Sequence, residues 1–221
     1  CSPSRPSLLT GLRLDSTRVY DLQTQFRDTI PDVVTLPQHF KNHGYYVVGM
    51  GKIYHGGLND TLSWSEPWRR PRANGYQMQE NIDRIKSNRQ AARLRGLKGK
   101  ALTRAARGPA TEMAEVPDNA YPDGACADMA IETLQRIKDR PFFLAVGFLK
   151  PHLPFNSPKK YWDLYQREQL QLAQNPYPPD GAPPFALTDY GELRNYDDMP
   201  KSNPIPDTDA RRLIHAYLAC V

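Results

Sequence analysis

Residues 141–152 read PFFLAVGFLKPH. From Phe142 to Leu149 the chain is apolar at successive positions, without the alternation of a strand that has one wet face. Such a run marks a strand covered on both faces, as in a parallel sheet. Just upstream, YPDGACADMAIETLQRIKDR (residues 121–140) spaces Ala125, Met129, Ile131, Leu134 and Ile137 so that a helix would bury one face. A second compact apolar run of strand type, YYVVGMGK, occupies residues 45–52. Before it, TLPQHFKNHG (residues 35–44) reads as a short helix with Thr35 as N-cap, a proline in the first turn and a stop at Gly44. Helix, buried strand, loop, helix, buried strand is the rhythm of an α/β fold.

The strand ends then direct attention to particular side chains. Lys52 and His55 leave one buried strand, and Lys150 and His152 leave the other. Open α/β sheets bind ligands beyond the carboxyl ends of their strands, so these four groups are expected to converge on one crevice. Residues 53–71 are rich in Gly, Pro, Asn and Asp and read as loop; residues 165–209 are Pro-rich and mostly irregular, with NPYPPDGAPPF and GELRNYDDMP as candidate substrate contacts. DARRLIHAYLACV (residues 209–221) starts a further helix, and no internal repeat is present.

Composition bounds the class. Of 221 residues, 39% are hydrophobic, enough for a packed core, while 21 prolines call for long irregular connections. No segment reaches the ~18 consecutive apolar residues of a membrane span. Cys1, Cys126 and Cys220 form no CxxC pair and no zinc spacing, so cysteine chemistry here means one thiol at a time. The net charge of +5 is local: nine Lys and Arg, with no Asp or Glu, lie between Arg84 and Arg107, and the remainder of the chain carries −4. This basic segment lacks a sustained apolar face and is expected to be a solvated, mobile insertion. It contains no aromatic residue for base or sugar stacking, which favours that reading over binding of a polyanion, whether sulfated glycan or nucleic acid, and nucleic acid is not an expected partner.

The chain opens with CSPSRPSLLTG (residues 1–11), which resembles the signature of the type I sulfatases, where C-x-P-S-R marks a cysteine that a modifying enzyme converts to formylglycine. Cys1, Pro3, Ser4, Arg5, Leu9, Thr10 and Gly11 all fit that pattern, and GKIYH (residues 51–55) and KPHLPF (residues 150–155) follow in the family's order. Ile53 and Tyr54 separate Lys52 from His55, a spacing similar to that of iduronate-2-sulfatase-like enzymes, whereas many sulfatases have one residue there. The likeness covers nearly the whole chain apart from the basic segment. It implies an α/β fold of the alkaline-phosphatase type, a mixed sheet sandwiched by helices. Residues 1–221 would be a partial N-terminal catalytic domain with a basic insertion at about 84–107. The family's upstream metal-binding strand and downstream C-terminal part have no counterpart here, so the chain is expected to be a fragment of a longer protein and inactive alone.

The chemistry explains the residue types. A sulfate ester is a poor electrophile because its oxygens carry negative charge, so catalysis needs a strong nucleophile and fixed positive charge around the sulfate. An aldehyde hydrate attacks to give a sulfated hemiacetal, and deprotonating its second hydroxyl expels sulfate. The resemblance implies that Cys1, as formylglycine, is this nucleophile and a ligand to a calcium ion. It also implies that Arg5 holds the hydrate, Lys52 contacts sulfate oxygens, His55 takes the proton, and His152 sits at the sulfate or the leaving-group oxygen. Lys150 would bind a substrate carboxylate or face solvent. The implied partners are a sulfated carbohydrate and a formylglycine-generating enzyme, and the implied location is outside the cytoplasm, periplasmic or secreted in a bacterium and lysosomal in an animal. A helix starting just after Cys1 would also aim free N–H groups at a bound anion.

Two rival readings keep the same residues. One is a formylglycine-dependent phosphonate or phosphodiester hydrolase; the other is a degenerate, non-enzymatic protein that binds polyanions through the basic segment. Outside the motifs, His39, His43 and His215 are expected to be structural, Cys126 and Cys220 to be core thiols, and Trp64 and Trp68 to anchor their loop.

Overall fold

A computed structural model describes residues 1–201 and 203–221. Its helices and strands in chain order are α1 (Ser4–Thr10), α2 (Leu14–Thr17), α3 (Phe26–Thr29), α4 (Leu36–Asn42), β1 (Tyr46–Gly51), α5 (Gln79–Leu94), α6 (Gly99–Ala105), β2 (Thr111–Ala114), α7 (Pro122–Ile137), β3 (Phe142–Gly147), β4 (Phe155–Pro158), α8 (Lys159–Trp162) and α9 (Asp207–Leu218). Two compact units share them: Cys1–Ala73 with Pro122–Leu149, and Asn74–Tyr121 with Lys150–Val221. The class is α/β, and among the described residues the strands pair only in parallel, as two two-stranded ladders.

In the first unit β1 runs parallel to β3 with Tyr46 opposite Phe142 and Gly51 opposite Gly147. Alternate side chains serve alternate faces. Val47, Phe143 and Ala145 pack with Phe40, Tyr54 and Trp64 on the α4 side, whereas Val48, Met50, Leu144 and Val146 pack with Cys126, Ala130 and Ile137 of α7. The ladder is therefore sandwiched by helices, and each fully buried Val or Met contributes roughly 1.5–3 kcal/mol through lost contact with water. Thr35 caps α4 by accepting from the Gln38 N–H at 3.2 Å, as its position predicts. Trp64 is buried and fits over Gly49, where a Cβ would lie 2.7 Å from three of its ring atoms; Trp68 donates to the Gly51 carbonyl at 2.9 Å. Both tryptophans anchor the loop.

Two details of this first unit differ from the sequence reading. The buried stripe of α7 is Cys126, Ala130, Thr133 and Ile137, while Ile131 and Leu134 are exposed. Steps of four, three and four residues follow the helical turn, and Ile131 falls more than a quarter-turn away from them. Strand β3 ends at Gly147, Phe148 is half exposed, and every β3 residue is only partly buried. Its two faces are covered, but β1 is its one ladder partner among the described residues, which leaves its edge open.

In the second unit β2 runs parallel to β4, and Phe155 packs with Trp162 of α8, Ala216 of α9 and Ala219 just after it. His215 is structural: its Nδ1 accepts from Arg167 Nε at 3.2 Å, so Nε2 carries the hydrogen donated to the Trp162 carbonyl at 2.8 Å. The basic segment differs most from expectation, since it forms α5 and α6. Only a thin buried side, with Asn81 and Ala92 buried and Ile85 against Gly108, packs α5 down, and a buried carboxylate fixes its start. Glu112 accepts from the backbone N–H groups of Gln77 (2.7 Å) and Met78 (3.1 Å), from Asn81 Nδ2 (2.8 Å) and from the Tyr121 hydroxyl (2.6 Å), which clamps the start of the helix. Burial and this neighbouring carboxylate push the Tyr121 hydroxyl well above its ordinary pKa, so it remains a donor. Glu112→Gln turns one acceptor oxygen into a donor facing two donors, and is expected to cost about 3 kcal/mol in a urea melt of the chain. The exposed Glu80→Gln should leave the melting midpoint unchanged.

Candidate active site

Cys1 is an exposed free thiol, and the adjacent Ser2 is buried. The turn that carries them feeds α1: the Arg5 N–H donates to the carbonyls of Cys1 (3.3 Å) and Ser2 (3.1 Å). That N–H is thereby occupied by the turn itself. The seven-residue helix closes on Gly11 in the left-handed region at φ 70°, as a glycine stop should.

The Arg5 guanidinium reaches across to the exit of β1. Its Nη1 donates to the Lys52 carbonyl and, at 2.7 Å, to the Ile53 carbonyl. Burial lowers the Arg5 pKa from its ordinary value. Two carbonyls point at one cation because the chain turns sharply here. Gly51 sits at φ 69°, the Lys52 N–H donates to the Gly147 carbonyl at 2.7 Å, and the Ile53 N–H returns to the Gly51 carbonyl at 3.2 Å. The crossing is too close for side chains: a Cβ on Gly147 would fall on the Lys52 carbonyl carbon and oxygen and 2.8 Å from the Ile53 nitrogen.

His55 follows two anchored residues. Ile53 and Tyr54 are buried, and Tyr54 stacks on Phe26 with ring centroids 5.7 Å apart. Its hydroxyl meets Ser63 Oγ at 3.1 Å, and Ser63 donates to Asp60 at 2.6 Å. Asp60 is held in turn by a two-pronged pair with Arg27, Nε to Oδ1 at 2.8 Å and Nη2 to Oδ2 at 2.9 Å. Burial pushes the Tyr54 pKa up to about 12, so the phenol stays neutral. Half-buried His55 lines a small hollow with Ser2, Pro6, Gln25, Phe26 and Tyr54. The first unit thus brings together Cys1 and its turn, Arg5, Lys52 and His55.

Lys150 and His152 belong to the second unit, at the start of its Lys150–Val221 segment. Lys150 Nζ donates to the Pro154 carbonyl. His152 Nδ1 meets the Leu153 carbonyl at 2.7 Å; a carbonyl only accepts, so the hydrogen is on Nδ1 and Nε2 is left for other work, 3.9 Å from Glu192 Oε2. Among the described residues no three His, Cys, Asp or Glu side chains gather to hold a metal. Calcium takes six to eight oxygen donors, so the described residues do not make the implied calcium site by themselves.

All 221 residues, 1–221, match the family model described as Sulfatase. The chain belongs to the sulfatase family. It is 35% identical to the iduronate 2-sulfatase of Mus musculus and 34% identical to that of Homo sapiens, in each case over 100% of this chain and 40% of the relative. It is 29% identical to a sulfatase of Formosa agariphila, over 100% of this chain and 43% of that protein. The chain therefore spans about two-fifths of the length of these curated relatives.

Within this sulfatase chain, some residues beside the site were not singled out from sequence. Gln25, Arg27, Asp60 and Ser63 carry no motif, and their link to Tyr54 exists only through folding. The glycine crossing left a faint signal, since Gly51 and Gly147 each lie within or at the end of an apolar run. A glycine at the last position of a buried strand is a cue to close backbone approach.

Proposed function

We propose that the chain is part of the catalytic domain of an exported sulfatase that hydrolyses sulfate esters of a sugar, a sulfated uronate being the first candidate. The observation that carries this reading is Arg5, held by the carbonyls of Lys52 and Ile53 one helical turn from Cys1, with His55 on the same β1 exit. Conversion of Cys1 to formylglycine by a modifying enzyme would supply a geminal diol, one hydroxyl to attack sulfur and the other to expel sulfate once deprotonated. The chain's own residues do the rest. Arg5 supplies a fixed positive charge whose position costs no reorganisation during reaction. Lys52 contributes a second positive charge toward the sulfate oxygens, and His55 accepts the proton of the diol. In the protonated form, His152 Nε2 gives a proton to the leaving alcohol, the Leu153 carbonyl fixing its ring through Nδ1. Lys150 is assigned to a substrate carboxylate. A calcium ion at Cys1 would draw its remaining oxygen donors from outside the described residues.

The test uses the full-length protein, produced with a formylglycine-generating enzyme. Sulfate release from a 2-sulfated uronate disaccharide and phosphate release from the matching phosphate ester are compared. Faster sulfate release is expected, and a preference for phosphate or no turnover of either ester would overturn the reading. His55→Ala should lower kcat about 100-fold. Loss of less than threefold would remove His55 from the proton-transfer role.

A further inference from the structure

The basic residues of α5, α6 and the short segments next to them take no part in the proposed hydrolytic chemistry. Of the nine cations between Arg84 and Arg107, three have partners: Arg84 with Asp197 at 2.6 Å, Lys86 with Asp83 at 3.0 Å, and Arg107 with Glu192 at 3.3 Å. The other six, Arg89, Arg93, Arg95, Lys98, Lys100 and Arg104, are exposed and make no ion pair among the described residues. Arg89 and Arg93 share one face of α5 at i and i+4, and Lys100 and Arg104 do the same on α6. Like charges at that spacing destabilise a helix. A bound polyanion would reverse the sign of that term.

The surface is also built in advance. Glu112 clamps the start of α5, Asn88 Nδ2 donates to the Arg107 carbonyl at 3.0 Å and to Asp197 at 2.6 Å, and Gly108 lies so near Ile85 that a Cβ would come within 2.7 Å of it. Binding therefore pays little of the ordering entropy that a mobile basic tail would pay. The positive field stands out because the remainder of the chain carries −4.

We propose that the exposed basic residues of α5, α6 and the turn between them bind a sulfated polysaccharide chain. Four of the six unpaired cations are arginines, whose planar fork matches sulfate and carboxylate oxygens in pairs. No aromatic residue lies between positions 84 and 107, so there is no platform for stacked bases, and a nucleic acid fits this surface less well. The proposal rests on the sulfatase reading only for preferring sulfated sugar to other polyanions.

The test measures binding of the chain to fluorescent heparin across a salt series, with a single-stranded oligonucleotide of equal length as competitor. The parent is compared with a variant carrying Arg89→Gln, Arg93→Gln, Lys100→Gln and Arg104→Gln, whose fold is checked by its melting curve. The variant is expected to bind heparin at least tenfold more weakly, with the slope of log K against log salt smaller by about 3, the loss of four charge contacts. Equal binding by parent and variant would overturn the proposal, as would an oligonucleotide that competes as well as unlabelled heparin. In the full-length protein the same four substitutions should leave turnover of a small sulfate ester unchanged. Absence of that turnover in the parent, with heparin binding intact, would sink the hydrolytic reading and leave this one standing.

Discussion

Gly147→Ala is expected to destabilise the chain by about 4 kcal/mol, far more than one added methyl group suggests. The methyl would occupy the space of the Lys52 carbonyl, with the Ile53 nitrogen 2.8 Å away, and backbone atoms cannot swing aside as the tip of a side chain can. Relief requires β3 to part from the exit of β1, which breaks the Lys52 N–H bond to the Gly147 carbonyl. It also moves both carbonyls that hold Arg5. Gly56→Ala is the matched control, because a Cβ there meets nothing within 4 Å. Urea melts of both variants against the parent make the comparison. A Gly147→Ala variant that melted with the parent would show that the crossing has slack.

The second large effect is expected at Asp60, which is 3% exposed. Asp60→Asn leaves the Arg27 guanidinium partly buried without its counter-charge and should cost about 3 kcal/mol. Burial by itself would raise the Asp60 pKa, but hydrogen bonds from Arg27 and Ser63 and the Arg27 charge outweigh it and hold the carboxyl below its ordinary value. A carboxyl depressed in the folded state stabilises fully above its unfolded pKa, near 4, and that stability is lost as pH falls through the folded value. The parent should therefore lose stability in acid below about pH 4 more steeply than Asp60→Asn. Equal acid slopes would refute the assignment. Replacing both partners, with Arg27→Met and Asp60→Leu, should recover part of the loss, since no charge is then stranded.

The α/β class was legible because it rests on residues close in sequence, and the motifs that nominate the candidate site are local in the same way. The apolar runs at residues 45–52 and 142–149 are continuous, Thr35 and Gly44 bracket their helix, and the motifs at Cys1 and Lys52 are local strings. The failures share one cause. Helix α5 has little amphipathic pattern to read, and its start is fixed by Glu112, some thirty residues further on and buried with its partners. Ile131 and Leu134 looked like core on hydrophobicity, but the direction in which a helix packs is set by the surface it meets, here β1 and β3. Likewise nothing near Tyr54 announces that its hydroxyl ends a chain of contacts reaching back through Ser63 and Asp60 to Arg27.

The two units alternate along the sequence, the first being interrupted by Asn74–Tyr121 and completed by Pro122–Leu149. During synthesis β1 therefore leaves the ribosome without its ladder partner, and Tyr46 cannot meet Phe142 until the whole interruption has been made. A nascent chain paused within that interval would expose Val47, Val48 and Met50 beside an unpaired strand edge, the kind of surface that recruits chaperones or aggregates. Slow translation after residue 147, rather than before it, would favour the yield of folded protein.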